Sequence, residues 1–374
     1  MKVMHLMQIC LQKPSWFLHV KKSILKIIVT ILFVFFVSIT YAQKDNFERF
    51  LAEGKAEFTK SFDEQDYDNA VKVLKRAVQL KPENTEAKYF LGYAYSRLNA
   101  KDGASLISMK LDLTIKSSEQ FEAVNKLTPK YEGEIIVLDP YSKITSEWGS
   151  MAMTYWHKGQ KEQALWAFNE GKKRGGFSEF ILALNKKILD SCNENSILFT
   201  SGDQLTIPLW YLQIVEGYRE DIAVVDANLL ESSWYATFLV KQKVVTFDVP
   251  EETLDNLEIQ EWAPQKITIS DFAWTVNPTY EETYLFRCDL LLLSILKANK
   301  FERPVFFTDG FPKDRQLSLN ENLMPFGFLV NTINIDDDGP VELEDDKSKM
   351  DALTSLANEN SPDEIWFVEF LKRL

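Results

Sequence analysis

The chain has 374 residues, of which 45% are hydrophobic and 13% aromatic, and its formal net charge is -13. This length and apolar content suffice for two well-packed domains and exclude an intrinsically disordered chain. The first 42 residues contain five lysines and no acidic residues, so the remainder carries a net charge of -18. Because a surface this acidic repels phosphate backbones, we expect no nucleic-acid partner.

The first 42 residues have the pattern of a secretory signal peptide. Lys21, Lys22 and Lys26 precede an uncharged stretch at 27–37 that is apolar except for Thr30, and small and polar residues then lead to Ala42. With roughly sixteen residues, this segment is shorter than the about twenty that a membrane-spanning helix needs. We therefore expect cleavage near Ala42 and export to the periplasm or cell envelope. An uncleaved leader that anchors the chain in the membrane is the alternative.

The cysteines leave the redox environment open. Cys10 would be lost with the leader, which leaves Cys192 and Cys288 in different segments of the exported chain. These two residues form either one disulfide bond or two buried thiols, and both states are compatible with export.

Residues 43–190 are expected to form a helical repeat domain. A first amphipathic helix is predicted over 66–82, where apolar or small residues recur every three or four positions and Pro82 ends the helix. A second helix begins at 84 and carries Leu91, Gly92 and Tyr95 on one face. This pattern resembles the tetratricopeptide repeat, in which small residues let two antiparallel helices approach each other closely.

The last repeat unit carries the clearest spacing of this family. Its large, small and turn positions are occupied by Trp148, Met151, Ala152, Tyr155, Gly159, Ala164, Phe168 and Gly171. The middle unit is stretched by an insertion around 103–116, so we count about three repeats, one of them irregular. A helix predicted over 180–189 would cap the array and lead into the second domain.

A repeat array of this kind implies a concave groove that binds a peptide or a partner protein. Trp148 and Tyr155 are the candidate contact residues in that groove. The alternative is a rigid spacer whose groove is filled by its own chain, with both aromatic side chains used for packing.

Residues 191–374 alternate predicted strands and helices, which indicates a Rossmann-like α/β domain with a mostly parallel sheet. The fold class is therefore α + α/β. Three strands are predicted over 196–200, 222–225 and 303–307. Helices are predicted over 208–218, 234–241 and 285–298. Strand-like alternation at 243–249, 265–269 and 274–277 predicts additions to the sheet edge.

Each of the three main predicted strands ends in a polar cluster that contains an aspartate: Asp203, Asp226 or Asp309. Ligands of open parallel sheets bind beyond the carboxyl ends of the strands, so these residues could share one cleft, with Gly202 and Asn228 as further binding candidates. Two carboxylates there could act as acid and base or hold a divalent ion. The alternative is that the aspartates form turns and cap helices. This half contains no histidine, which excludes a Ser/His/Asp triad.

Residues 195–230 resemble the soluble C-terminal region of bacterial membrane proteins of the protein O-mannosyltransferase-like type. The matching segments are 195–203, 208–213, 216–219 and 221–230, with later similarity at 289–296, 303–307 and 327–330. In that family the transferase machinery is expected in a many-helix membrane portion, which does not occur in this sequence. The resemblance therefore implies an appended exported module with a possible role in envelope glycosylation machinery. Where the family has a more polar stretch, this chain has Gln204–Ile207, which leaves Asp203 as the lone carboxylate.

The acidic stretch 336–346 nearly reproduces the ligand spacing of a calcium loop. The positions concerned are Asn334, Asp336, Asp338, Gly339, Glu342 and Asp345. A strand-like run precedes the stretch where a calcium loop would have a helix, so we predict a solvated acidic loop. The apolar residues in 364–374 predict a docked terminal helix.

These features together favour an exported, non-enzymatic interaction protein whose repeats bind a peptide or partner protein and whose α/β domain binds an unidentified ligand. The alternatives are an enzyme that acts on glycans through Asp203, Asp226 and Asp309, and an accessory subunit of protein glycosylation. An open pocket that holds two of these carboxylates would favour the enzyme, whereas scattered aspartates that cap helices would favour the interaction protein. We expect no cofactor and no metal.

Overall fold

The computed structural model describes residues 44–128, 130–335, 364, 366 and 368. The predicted leader and almost all of the stretch with calcium-loop spacing lie outside these residues. Of the predicted terminal helix, Glu364, Trp366 and Val368 are described, and all three are helical. The Trp366 ring lies 6.3 Å from the ring of Tyr141 in the repeat half.

Three helix pairs occupy residues 44–173. They are α1 (44–56) with α2 (Tyr67–Leu80), α3 (Thr85–Asn99) with α4 (Leu111–Leu127), and α5 (Pro140–His157) with α6 (Lys161–Lys173). A seventh helix, α7 (Glu179–Ser191), lies where the cap was expected. The predicted helical repeat region is thus confirmed, including its irregular middle pair.

Side chains that accept backbone hydrogen bonds fix where several helices begin. Asp66 accepts from the Asn69 amide at 2.9 Å before α2, and Asn84 accepts from the Ala87 amide at 2.8 Å before α3. Asp139 precedes α5 and accepts from the backbone N–H groups of the next helical turn, whose first residue is Pro140. These are the residue types that satisfy the free N–H groups of a helix start.

Glycines allow the paired helices to approach closely. A Cβ atom on Gly92 of α3 would lie 2.8 Å from the ring of Phe121 in α4. A Cβ atom on Gly171 of α6 would lie 2.5 Å from the Cβ atom of Trp148 in α5. The small positions of the repeat pattern therefore contact the large ones, as the spacing predicted.

The second half contains a five-stranded mixed sheet with a parallel core. Its strands are β1 (Ile197–Thr200), β2 (Ala223–Asp226), β7 (Val305–Thr308), β8 (Leu323–Gly327) and β9 (Val330–Ile333), in the order β2-β1-β7-β9-β8. β1 pairs in parallel with β2 and with β7, whereas β9 is antiparallel to both β7 and β8. The predicted α/β fold with parallel central strands is confirmed.

Several predicted elements differ in position. The segment 243–249 is not a strand. The strands β4 (Gln265–Ile269) and β5 (Phe272–Val276) pair with each other in a separate hairpin, and β3 (Gln260–Glu261) pairs with β6 (Tyr284–Leu285). Their alternating burial comes from packing one face of a hairpin, which gives the same pattern as an edge strand of the main sheet.

The helix after β1 also begins earlier than predicted. This helix, α8 (Asp203–Glu216), starts five residues before Pro208, which lies inside it. Gly202 has a φ of 87°, which turns the chain directly from the strand into the helix. The helices α9 (Ser233–Lys241), α10 (Glu251–Leu254) and α11 (Arg287–Asn299) complete this half.

The repeats pack directly against α8. The Tyr211 ring of α8 stacks on Phe177 at 4.7 Å and meets Phe168 edge-on at 5.8 Å. Gly149 of α5 lies so close to Ile207 of α8 that an added Cβ would be 2.1 Å from the Ile207 Cγ2 atom. One hydrophobic core therefore runs from the repeats into the sheet. In the described part of the chain, no helix has the length and apolarity needed to cross a membrane.

Candidate functional site

Asp226, the last residue of β2, is buried and fully engaged in hydrogen bonds. Its carboxylate accepts from the Thr206 hydroxyl at 2.6 Å and from the Leu229 amide at 3.0 Å. Thr206 also contacts the hydroxyl of Thr200 at 2.7 Å. Burial raises the pKa of Asp226 to about 6, and the nearby charge of Asp203 adds to this rise. These contacts are those of a residue that organises the turn after β2.

Asp203 lies at the start of α8 and faces the repeat half. Its carboxylate accepts a short hydrogen bond from the Ser146 hydroxyl of α5. The neighbouring Gln204 donates to Ser142 of the same helix at 2.9 Å. The carboxyl end of β1 is therefore covered by α5, and Asp203 joins the two halves of the molecule.

Asp309 follows β7 and is held by the neighbouring strand β9. Its carboxylate accepts a hydrogen bond from the Asn331 side chain, and its amide donates to the Leu329 carbonyl at 2.9 Å. The structure thus brings Asp203 and Asp226 close together, while Asp309 is bound to β9. All three carboxylates are engaged with other parts of the protein.

The remaining candidate residues divide between turns and packing. Asn228 is exposed and donates to the Ser201 hydroxyl at 3.2 Å, beside Gly202. Trp148 is completely buried, and its indole N–H donates to Ser118 at 2.9 Å. Tyr155 is half-buried against the core. Trp148 therefore packs the repeats together and does not reach the surface.

Both cysteines of the expected exported chain are free and buried. The disulfide alternative is therefore not adopted. Burial raises the pKa of the Cys192 thiol to about 12. Within the described residues, no three histidine, cysteine, aspartate or glutamate side chains come together in an arrangement suited to a metal ion.

A cleft of about 630 Å³ opens between the last repeat and the edge of the sheet. One wall is α8, which contributes Trp210 and Gln213, and the facing wall is α9, which contributes Phe238. The end of α5 closes one side with Trp156. The volume lies in the range of small-molecule and peptide-residue pockets. None of the three aspartates lines this cleft.

The floor of the cleft is the open edge of β2, residues 222–224. Ala223 donates to the Ser196 carbonyl and Ala227 to the Thr200 carbonyl, both at 2.9 Å toward β1. Because backbone groups alternate along a strand, the N–H and C=O of Val224 point away from β1. On this side of β2, Val224 is therefore the one residue of 222–224 whose backbone N–H and C=O both lie toward the cleft, and the residue itself is buried.

The mouth of the cleft is aromatic and basic. The Trp156 indole donates to Gln242 at 3.2 Å, and the Lys161 ammonium lies 5.5 Å from the centre of the Trp156 ring. Partial burial lowers the pKa of His157, and the charges of Lys241 and Lys158 lower it further. The His157 ring lies 5.9 Å from the ring of Phe238, which lines the cleft, so these two lysines are near the cleft as well.

The cleft was not predicted from the sequence. No local motif marks Gln213, Gln242 or Trp156. These residues lie in, or directly after, three different helices, which belong to both halves of the chain. The one available signal was the short β2 segment, but its place at the sheet edge depends on a strand order that spacing does not reveal.

Two parts of the chain are similar to known families. Residues 61–114 match the tetratricopeptide repeat family, and residues 182–269 match the family described as TMEM260-associated domain 2. The second match includes β1, α8, β2 and α9, which form most of the cleft. No curated protein and no solved structure shows a significant match to the chain. The chain thus combines a tetratricopeptide-like repeat region with a region similar to TMEM260-associated domain 2.

Proposed function

We propose that this protein is an exported interaction protein that binds a partner protein in the cleft between its repeats and its sheet. The observation that carries this proposal is the cleft itself, which has an aromatic mouth and an open strand edge on its floor. Tetratricopeptide repeats support a role in protein–protein interaction. In this proposal the partner contacts both halves at once.

The state of the three aspartates also favours binding over catalysis. A general acid or base must be able to reach its substrate, and a pair of such groups must face a common open space. Asp226 is buried beneath its own turn, whereas Asp203 and Asp309 are half-buried and are hydrogen-bonded to Ser146 and Asn331. An enzyme acting on glycans through these three residues therefore has less support than a binding protein.

The similarity to TMEM260-associated domain 2 favours one class of partner. TMEM260 is regarded as a protein O-mannosyltransferase. A partner within envelope glycosylation machinery, with this protein as an accessory subunit, is therefore the second form of the proposal. It differs from the first only in the identity of the partner.

Affinity capture from the native cell envelope tests both forms. The tagged full chain is cross-linked in envelopes, and the captured proteins are identified by mass spectrometry. The Lys161→Glu/Lys243→Glu variant reverses two exposed charges at the cleft. The Lys72→Glu/Lys75→Glu variant makes the same charge change on the exposed face of α2.

We expect a defined partner with the wild-type chain and the α2 control, and loss of that partner with the cleft variant. Recovery of a membrane glycosyltransferase would support the accessory-subunit form. Equal capture by all three chains, or no specific protein at all, would contradict the proposed function.

A further inference from the structure

The backbone N–H and C=O groups of β2 that point away from β1 have no partner strand. Tyr235 accepts a hydrogen bond from the Asp226 amide at 3.2 Å, at one end of the edge. Gln213 donates to the Ile222 carbonyl at 2.7 Å, at the other end. Side chains thus satisfy the two flanking positions, and Val224 between them lines the bottom of the cleft with only 4% of its surface exposed.

The walls beside this edge suit a peptide in extended conformation. Successive side chains of such a peptide point to opposite faces of the sheet. One face would meet Trp210 on α8 and the other would meet Phe238 and Leu239 on α9, all of which line the cleft. Apolar side chains of both helices therefore border the cleft on either side of the β2 edge.

The lysines around the mouth are unusual in so acidic a chain. Lys158, Lys161, Lys241 and Lys243 are all exposed. None of the four is among the lysines that form ion pairs in the described residues. On the acidic side, Asp221 is neutralised by Arg219 at 2.9 Å, which leaves Glu220 as the opposing charge in the lining. The charged side chains that line the cleft are therefore mostly basic: Lys161, Lys243 and Arg303 against Glu220 and the paired Asp221.

We propose that the cleft binds an extended, acidic peptide segment of the partner protein, which adds a strand to the edge of β2 beside Val224. Backbone hydrogen bonds to β2 provide affinity, while acidic side chains of the peptide meet the lysines. This inference rests on the proposed function and specifies the chemistry of the partner.

Selection from a peptide library tests the inference even while the natural partner is unidentified. Random twelve-residue peptides displayed on phage are selected on the immobilised full chain. The recovered peptides are synthesised with a fluorescent label and titrated by anisotropy with three chains: wild type, Lys161→Glu/Lys243→Glu and Lys72→Glu/Lys75→Glu. Each peptide is also made with single N-methylated backbone amides, which cannot donate hydrogen bonds.

We expect peptides rich in aspartate and glutamate that bind the cleft variant about tenfold more weakly, which is about 1.4 kcal/mol, and the α2 control unchanged. N-methylation of the one peptide amide that donates to the Val224 carbonyl is expected to weaken binding by about tenfold, while the other positions tolerate it. Neutral or basic peptides, equal binding by the cleft variant, or tolerance of N-methylation everywhere would each overturn the inference.

The two proposals fail separately. A partner captured from the envelope in a cleft-dependent manner, together with tolerance of N-methylation everywhere, would leave the proposed function standing and refute the strand addition. Selected acidic peptides that bind beside Val224, with no partner captured from the envelope, would refute the proposed function and leave the strand addition standing.

Discussion

At the scale of single residues, Asp226 shows how a functional-looking carboxylate can serve the fold. The side chain has two hydrogen-bond donors within 3.0 Å, but burial still raises its pKa from 3.8 to about 6. Desolvation therefore outweighs the hydrogen bonds. Ionisation of the buried Asp226 side chain therefore lowers the free energy of unfolding, by an amount that depends on pH.

The Asp226→Asn variant is expected to remove that cost. Between pH 4 and 6 the unfolded chain loses this proton while the folded chain keeps it, so wild-type stability falls as pH rises through this window. The loss is at most about 3 kcal/mol, from a pKa rise of about two units. Asparagine does not titrate, so the free energy of unfolding of the variant should lack this pH dependence. Its side-chain oxygen can still accept from the Leu229 amide.

Urea unfolding of both proteins from pH 4 to 8 measures the difference. The stability of the variant relative to wild type should increase up to about pH 6 and stay level above it. A constant difference across the whole range would show that Asp226 does not titrate as described.

At the scale of elements, α5 links the start of α8 to the mouth of the cleft. It supplies Ser146 to Asp203, Ser142 to Gln204 and Trp156 to the mouth of the cleft. Its start is fixed by Asp139, which accepts from the amides of Tyr141 and Ser142 at 2.9 Å. The contacts that α5 makes with α8 and with the mouth of the cleft therefore begin from one helix cap.

Asp139→Ala is expected to lower the free energy of unfolding by about 1–2 kcal/mol, because the first amides of α5 lose their acceptor. Asp139→Asn keeps a side-chain oxygen at the same place and should retain most of the stability. Thermal unfolding followed by circular dichroism compares the two variants. Equal losses from both would assign the effect to the charge of Asp139 and not to capping.

The elements themselves were largely predictable from local sequence. The repeat helices follow from small and aromatic residues in register, such as Gly171 against Trp148, because helix pairs must interdigitate to bury their apolar faces. The strands β1, β2 and β7 follow from short apolar runs that end in turn residues. These signals depend on residues that are close together in the chain.

The site was less predictable because its parts are distant in sequence. Trp156 donates to Gln242 at 3.2 Å, a contact across 86 positions, and no periodicity marks either residue. The start of α8 was missed because Pro208 suggested a first helical turn, whereas Gly202 and the packing of Ile207 against Gly149 begin the helix earlier. Tertiary contacts decided both cases.

At the scale of the whole molecule, the repeats and the sheet share one core. Gly149 and Ile207 provide a sensitive test, because an added Cβ on Gly149 would lie 2.1 Å from Ile207. Gly149→Ala should lower the free energy of unfolding by about 1–3 kcal/mol through overpacking. In an Ile207→Ala background the same substitution should cost much less, since the clash is removed.

Urea unfolding of the four proteins in this cycle gives the coupling energy directly. We expect a coupling above about 1 kcal/mol and a single transition in every protein, because the two halves unfold together. Additive effects would mean that α5 and α8 do not pack as described, and two separated transitions would mean that the halves fold independently.

The two edges of the five-stranded sheet differ in accessibility. At the far edge, β8 carries Pro325, which has no backbone N–H, and its register with β9 shifts between Pro325 and Gly327. At the near edge, β2 lies at the bottom of a cleft between two helices. Among the described residues, the main sheet therefore has one edge that is recessed between helices and one that is interrupted by a proline. Edge-to-edge growth of this sheet between copies of the protein is disfavoured at both ends.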